Sequence, residues 1–72
     1  MMVVYIVMNG ENYEGGSVVS VHRTYEQAKR AALKVKALFE GGWKLEDEDA
    51  GLTCWWSNGC DWLRVFDAEV QE

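Results

Sequence analysis

Few residues in this chain could do chemistry. His22 is the only histidine among 72 residues, so no second imidazole exists to complete a metal site. Cys54 and Cys60 are separated by five residues. A zinc site needs four ligands at shorter, characteristic spacings. No serine, histidine and acid stand in a spacing that suggests a nucleophile and its base. The glycines of "NGENYEGG" (9–16) do not lead from a strand into a helix, so they make no phosphate loop. Glu46, Asp47, Glu48 and Asp49 are four consecutive acids. They lack the alternating ligands and terminal Glu of an EF-hand, and read as a solvated acidic loop. The sequence therefore predicts no catalytic residues, no metal and no cofactor. So short a chain also offers little depth for a catalytic cleft.

Recognition chemistry is better represented. The segment "LTCWWSNGCDWLRVF" (52–66) holds three of the four tryptophans. Asn58-Gly59 between β-prone runs is a strong hairpin signal, because a type I′ turn needs positive φ at both central residues. With those two as the loop, Trp56 faces Asp61, Trp55 faces Trp62 and Cys54 faces Leu63. Side chains alternate across a sheet. Leu52, Cys54, Trp56, Leu63 and Val65 then form a core face. Thr53, Trp55, Trp62, Arg64 and Phe66 form the other. The expected pair Trp55/Trp62, with Arg64 close enough to stack, has the composition of a binding hot spot. An alternative register, centred on Ser57, sets Cys54 opposite Cys60 and would allow a disulfide. In a reduced cell, two cysteines more often serve as small buried hydrophobes.

The elements that must carry this hairpin can be read in turn. "MVVYIVM" (2–8) is a strand that is central or covered. "SVVSVH" (17–22) is a second, antiparallel to the first. In it Val19 and Val21 share one face, and Val18, Ser20 and His22 the other. Thr24 and Gln27 make a capping box. The helix 25–40 presents Ala28, Ala31, Ala32, Val35, Leu38 and Phe39 as one apolar stripe, ended by Gly41 and Gly42 in a left-handed cap. A short extra strand is expected near Trp43. The prediction is a single domain, 1–72, of the α+β class. One antiparallel sheet of order ββαββ, with that extra short strand optional, carries one helix on one face. Because one helix covers one face, Trp55, Trp62 and Phe66 should lie on the open side, where a partner or a second copy would meet them.

Twelve acids oppose seven bases, for a net charge of −5. That argues against general nucleic-acid binding, which needs a basic footprint. It suits solubility, or mimicry of a nucleic acid towards a basic enzyme groove. The apolar N-terminus lacks a basic n-region and a cleavage site, and is too short to span a bilayer. The expectation is a cytoplasmic protein without membrane contact.

Residues 3–32 resemble a pattern found in small, mostly uncharacterised phage and bacterial accessory proteins. Those begin with a strand of the Val4–Val7 type and an acidic Tyr/Glu loop, here Asn12–Gly15. A second strand, here Val18–Thr24, and a helix opening at Glu26–Ala28 follow. The resemblance implies a phage or mobile-element protein that binds and inhibits a host or defence protein. On that reading Trp55, Trp62, Arg64 and Phe66 form the contact, and Glu46, Asp47, Glu48 and Asp49 steer a basic partner. The rival is a structural homo-oligomer whose aromatic face is its own dimer interface.

Overall fold

β-branched and aromatic residues dominate the start of the chain and produce a ten-residue strand, β1 (Met2–Glu11). The computed structural model describes residues 2–38, 42–49 and 51–71. In chain order β1 is followed by β2 (Gly15–His22), α1 (Tyr25–Leu38), β3 (Lys44–Asp49), β4 (Thr53–Ser57) and β5 (Asp61–Val70). The strands form one open antiparallel sheet in the order β2-β1-β5-β4-β3. The first and last strands are thus neighbours at its centre, paired from Met2↔Val70 to Glu11↔Asp61.

The helix lies on one face of this sheet. Its start is capped as the sequence predicts: the Gln27 N–H donates to Thr24 Oγ1 at 3.2 Å. Ala28 and Ala32 are fully buried, so the helix backbone comes close to the strands. Beneath it are Val7, Cys54, Trp56, Leu63 and Val65. Burying a side chain such as Val7 or Leu63 contributes about 1.5–3 kcal/mol. Tyr5, Tyr25, Ala31, Val35 and Trp43 pack at the rim. Lys36 Nζ sits 4.9 Å from the Trp56 ring centroid, a cation–π contact that closes the core's edge.

Several expectations are corrected. The acids 46–49 are not a loop; with Lys44 and Leu45 they form β3, an edge strand paired to β4. The chain is therefore ββαβββ. The β4–β5 register is offset by two residues from the expected one: Trp55 faces Arg64, Trp56 faces Leu63, and Ser57 faces Trp62. Asn58 belongs to the hairpin's closing pair rather than to its turn. Its N–H donates to the Asp61 carbonyl at 3.1 Å, while its Oδ1 accepts the Asp61 N–H at 2.9 Å. Only Gly59 has positive φ here, 97°, as the first loop residue of a type II′ turn requires. A shift of two preserves sidedness, so the division into core and open face stands. Cys54 and Cys60 are free thiols, and Cys54 lies opposite Val65.

In β2 a bulge between the Val7 and Met8 pairings breaks the expected alternation. Val18 pairs with Met8 and Val21 with Ile6, which sets both on the open face; Ser20 and His22 lie on the helix side. Leu52 is exposed in a turn rather than in the core. Leu38 is also exposed, so the helical stripe ends at Val35. Gly42 is not left-handed. Phe39, Glu40 and Gly41 lie outside the described residues.

Candidate functional site

The uncovered face is best followed as rows that cross the strands. Nearest the β1–β2 turn, one row runs Gly16, Gly10, Trp62, Ser57, Lys44. The next runs Val18, Met8, Arg64, Trp55, Asp47. Then come Val21, Ile6 and Phe66, followed by Val4 with Ala68 and Met2 with Val70. The face thus divides into an aromatic, polar end and an aliphatic end on β1, β2 and β5, with Asp49 at its β3 edge.

Trp62 is half-buried because two glycines admit it. A Cβ on Gly10 would stand 2.4 Å from Trp62 Cζ2, and one on Gly16 would stand 2.6 Å from Trp62 Cη2. The indole therefore reaches from β5 across β1 to the edge strand, over positions where any side chain would collide with it. Filling the gap above strand glycines with an aromatic ring from a neighbouring strand is a recognised sheet device. Asn9 reinforces the row by donating from Nδ2 to the Trp62 carbonyl at 3.0 Å.

Trp55 stands on the next strand, 38% exposed, diagonal to Trp62. Trp55, Trp62, Arg64 and Asn12 line one open concavity of about 390 Å³. Asn12 is fixed there by two bonds to the hairpin tip: its N–H donates to the Cys60 carbonyl at 2.8 Å, and its Nδ2 to the Gly59 carbonyl at 2.8 Å. Arg64 leans over the Phe66 ring, 5.5 Å from its centroid, rather than over a tryptophan. Among the described residues no carboxylate pairs with Arg64, and neither indole N–H of Trp55 or Trp62 has a hydrogen-bond acceptor. The concavity thus presents three donor groups to solvent.

The four acids of β3 do not act together. Glu48 lies on the helix side, where Tyr25 Oη donates to Oε2 at 3.0 Å and Lys29 Nζ approaches the same oxygen at 2.6 Å. Lys29 and Tyr25 hold its carboxyl below the usual carboxylate range. Burial, with bonds to Cys54 and Glu48, pushes the Tyr25 phenol well above its ordinary value. Burial likewise raises the Cys54 thiol. Glu46 stands at a bulge and accepts the Ser57 hydroxyl at 2.5 Å. Asp47 and Asp49 lie opposite Trp55 and Thr53, on the open face. Of these acids Asp47, opposite Trp55, stands nearest the concavity, and Lys44, opposite Ser57, shares that face, whereas Glu48 ties the helix to the edge strand.

Sequence reasoning missed Asn12, Gly10, Gly16 and Met8 as parts of this surface. Asn12 stands in a loop far from the tryptophans in sequence, and only the β1–β5 pairing brings it near. A second acidic group, Glu11, Glu14 and Asp61, lies across that turn, where Glu14 and then Asp61 raise the Glu11 carboxyl. Among the described residues no group of His, Cys, Asp and Glu side chains is arranged to hold a metal. His22 bonds to Ser20 Oγ at 2.8 Å and stays away from the open face. No described helix is long and apolar enough to cross a membrane. Comparison with known families, curated proteins and solved structures finds no match to this chain.

Proposed function

We propose that this is a non-enzymatic binding protein that works inside the cell and holds another protein against the aromatic end of its open sheet face. One observation carries the reading: Trp55, Trp62 and Arg64 converge on an uncovered concavity, and their donors meet no acceptor among the described residues. Tryptophan and arginine dominate the energetics of protein interfaces, because they bury large areas and still bond at their polar ends. In the free chain these exposed donors are hydrated, and a partner supplying acceptors would take the place of that water.

The resemblance of residues 3–32 to phage and bacterial accessory proteins supports a host or defence protein as the partner, and inhibition as the outcome. Asp47 beside Trp55, with the net charge of −5, would favour a basic surface on that partner. Phe66 extends the contact, stacked beneath Arg64. The test is capture from host lysate with the intact chain as bait, beside the Trp55→Ala and Arg64→Gln variants. A protein retained by wild type and lost by both folded variants is expected. Identical captures from all three baits would refute the assignment.

A second reading has its own observation. The aliphatic end, with Val21 more than half exposed beside Ile6 and Val4, offers an apolar area to a second copy. On this reading the open faces of two chains stack. Sedimentation over a range of concentrations tests it, with Val21→Lys expected to abolish any dimer.

A further inference from the structure

We propose that the outer edge of β2 pairs antiparallel with β2 of a second copy, joining two five-stranded sheets into one continuous sheet. The inference goes beyond the binding role proposed above. It uses the edge of the sheet rather than its aromatic end.

Unpaired backbone groups are the first argument. β2 ends the sheet, and among the described residues nothing bonds to its outer side. Along an antiparallel strand, successive residues turn their N–H and C=O alternately to one neighbour and to the other. The Asn12 N–H continues the β1–β5 ladder by reaching the Cys60 carbonyl, so Tyr5, Val7, Asn9 and Glu11 bond towards β2. That engages their partners His22, Ser20, Ser17 and Gly15. Gly16, Val18 and Val21 then turn their N–H and C=O outward, where only another strand matches them as a row.

Charge is the second argument, and it selects a second copy. From Gly15 to His22 the strand has no Asp, Glu, Lys or Arg, with Glu14 immediately before it and Arg23 immediately after. Pairing Gly16 with Val21 of the second copy joins two outward-facing residues. The same register sets Glu14 of each copy beside Arg23 of the other, so both ends attract although the whole chain is acidic. Parallel pairing in register would set like charges together instead. The β2 bulge falls at the centre of the antiparallel pairing, where each copy's irregularity meets the other's. The opposite edge, β3, carries four consecutive acids that discourage pairing. Because a two-fold pairing uses the same strand of both copies, assembly stops at two.

Packing is the third. Val18, Val19 and Val21 are about half exposed and add little to the core. The Trp62 ring reaches Gly16 at the very edge of the sheet. In the register above it would abut Val21 of the second copy, extending its row into the next sheet. The two-fold axis stands normal to the sheet, so both helices lie on one side and both aromatic ends on the other.

The test is sedimentation of the intact protein from micromolar to millimolar concentration, with amide hydrogen exchange at both limits. A dimer that dissociates on dilution is expected, with the Gly16, Val18 and Val21 amides protected only when concentrated. Val21→Pro removes an outward N–H and no bond to β1, so it should give a monomer with the circular dichroism of wild type. Glu14→Lys should weaken the dimer by about tenfold, since two attractive contacts become repulsive, and adding Arg23→Glu should restore it. Ala68→Lys, on the open face away from the edge, should leave the dimer intact, whereas a dimer of stacked open faces would be lost. A wild-type monomer throughout would overturn the inference. So would a dimer that persists in Val21→Pro, or one lost in folded Ala68→Lys. If Val21→Pro does not fold, the charge exchange decides in its place.

Discussion

Substituting alanine at Gly10 and Gly16 probes the seating of Trp62, on which the whole aromatic end depends. At Gly10 the new methyl would stand 2.4 Å from both Trp62 Cζ2 and the Gly15 carbonyl oxygen. The ring can swing away, but the backbone oxygen cannot. Overpacking of this kind costs about 1–3 kcal/mol, while the reduced freedom of the unfolded chain returns only about 0.4–1 kcal/mol. The strain wins, and a net loss of about 1 kcal/mol is expected for Gly10→Ala. For a domain of this size that is a fall in Tm of roughly 4–8 °C. Gly16→Ala meets mainly the ring, at 2.6 and 2.7 Å, and the Asn9 carbonyl oxygen at 2.8 Å. Its cost should therefore depend on Trp62. In a double-mutant cycle read by urea denaturation, Trp62→Ala should relieve Gly16→Ala by about 1 kcal/mol and leave most of the Gly10→Ala penalty in place. A Gly16→Ala cost indifferent to the presence of Trp62 would refute the claim that the indole crosses β1.

Other consequences can be measured on the same samples. Trp56 is 4% exposed beneath the helix, so Trp56→Ala should lose about 3–5 kcal/mol and leave a largely unfolded chain by circular dichroism. Glu48 titrates below its ordinary pKa beside Lys29 and Tyr25. Its contribution is present above the unfolded carboxylate value of about 4.3 and is lost as pH falls through the lower folded value, so Glu48→Gln should flatten the acid limb of the stability curve. Glu11 behaves oppositely, because Glu14 and Asp61 raise its carboxyl. What it contributes at low pH is lost as pH rises through its folded value, and Glu11→Gln should stabilise the protein at neutral pH. Cys60 is exposed and Cys54 buried, so a thiol reagent should modify one cysteine quickly and the second only after denaturant is added.

Legibility followed how local each determinant was. The helix was readable because its capping box and stripe lie within one continuous segment. The open-face parity of Trp55, Trp62, Arg64 and Phe66 was readable because alternation alone sets it, and the actual offset of two residues leaves it unchanged. That offset was hidden because Asn58 uses its side chain to bond Asp61, an alternative to the backbone turn that Asn-Gly suggests. β3 was legible only at its start, as the short strand expected near Trp43, and its acidic half was hidden for a different reason. "KLEDED" has no alternation of apolar residues, since it is an exposed edge whose outward acids discourage further pairing. The Gly10 and Gly16 seat for Trp62 was beyond reach, because glycines inside strands record no sign of the ring above them. Arg64 was expected to stack on the tryptophans and stacks on Phe66, a choice made by side-chain geometry rather than by register.

The pairing of β1 with β5 bears on how the molecule comes into being. Those strands form the middle of the sheet, yet nearly the whole chain separates them. Such distant partners fold slowly, because a long loop must close before their contacts are rewarded. While the chain is still emerging from a ribosome, residues 2–11 have no strand to pair with but β2, and Val7 has only the helix to cover it until 61–70 arrive. The second edge of β1 stays unpaired until then, and completion of the open sheet face is the last event of synthesis rather than an early one.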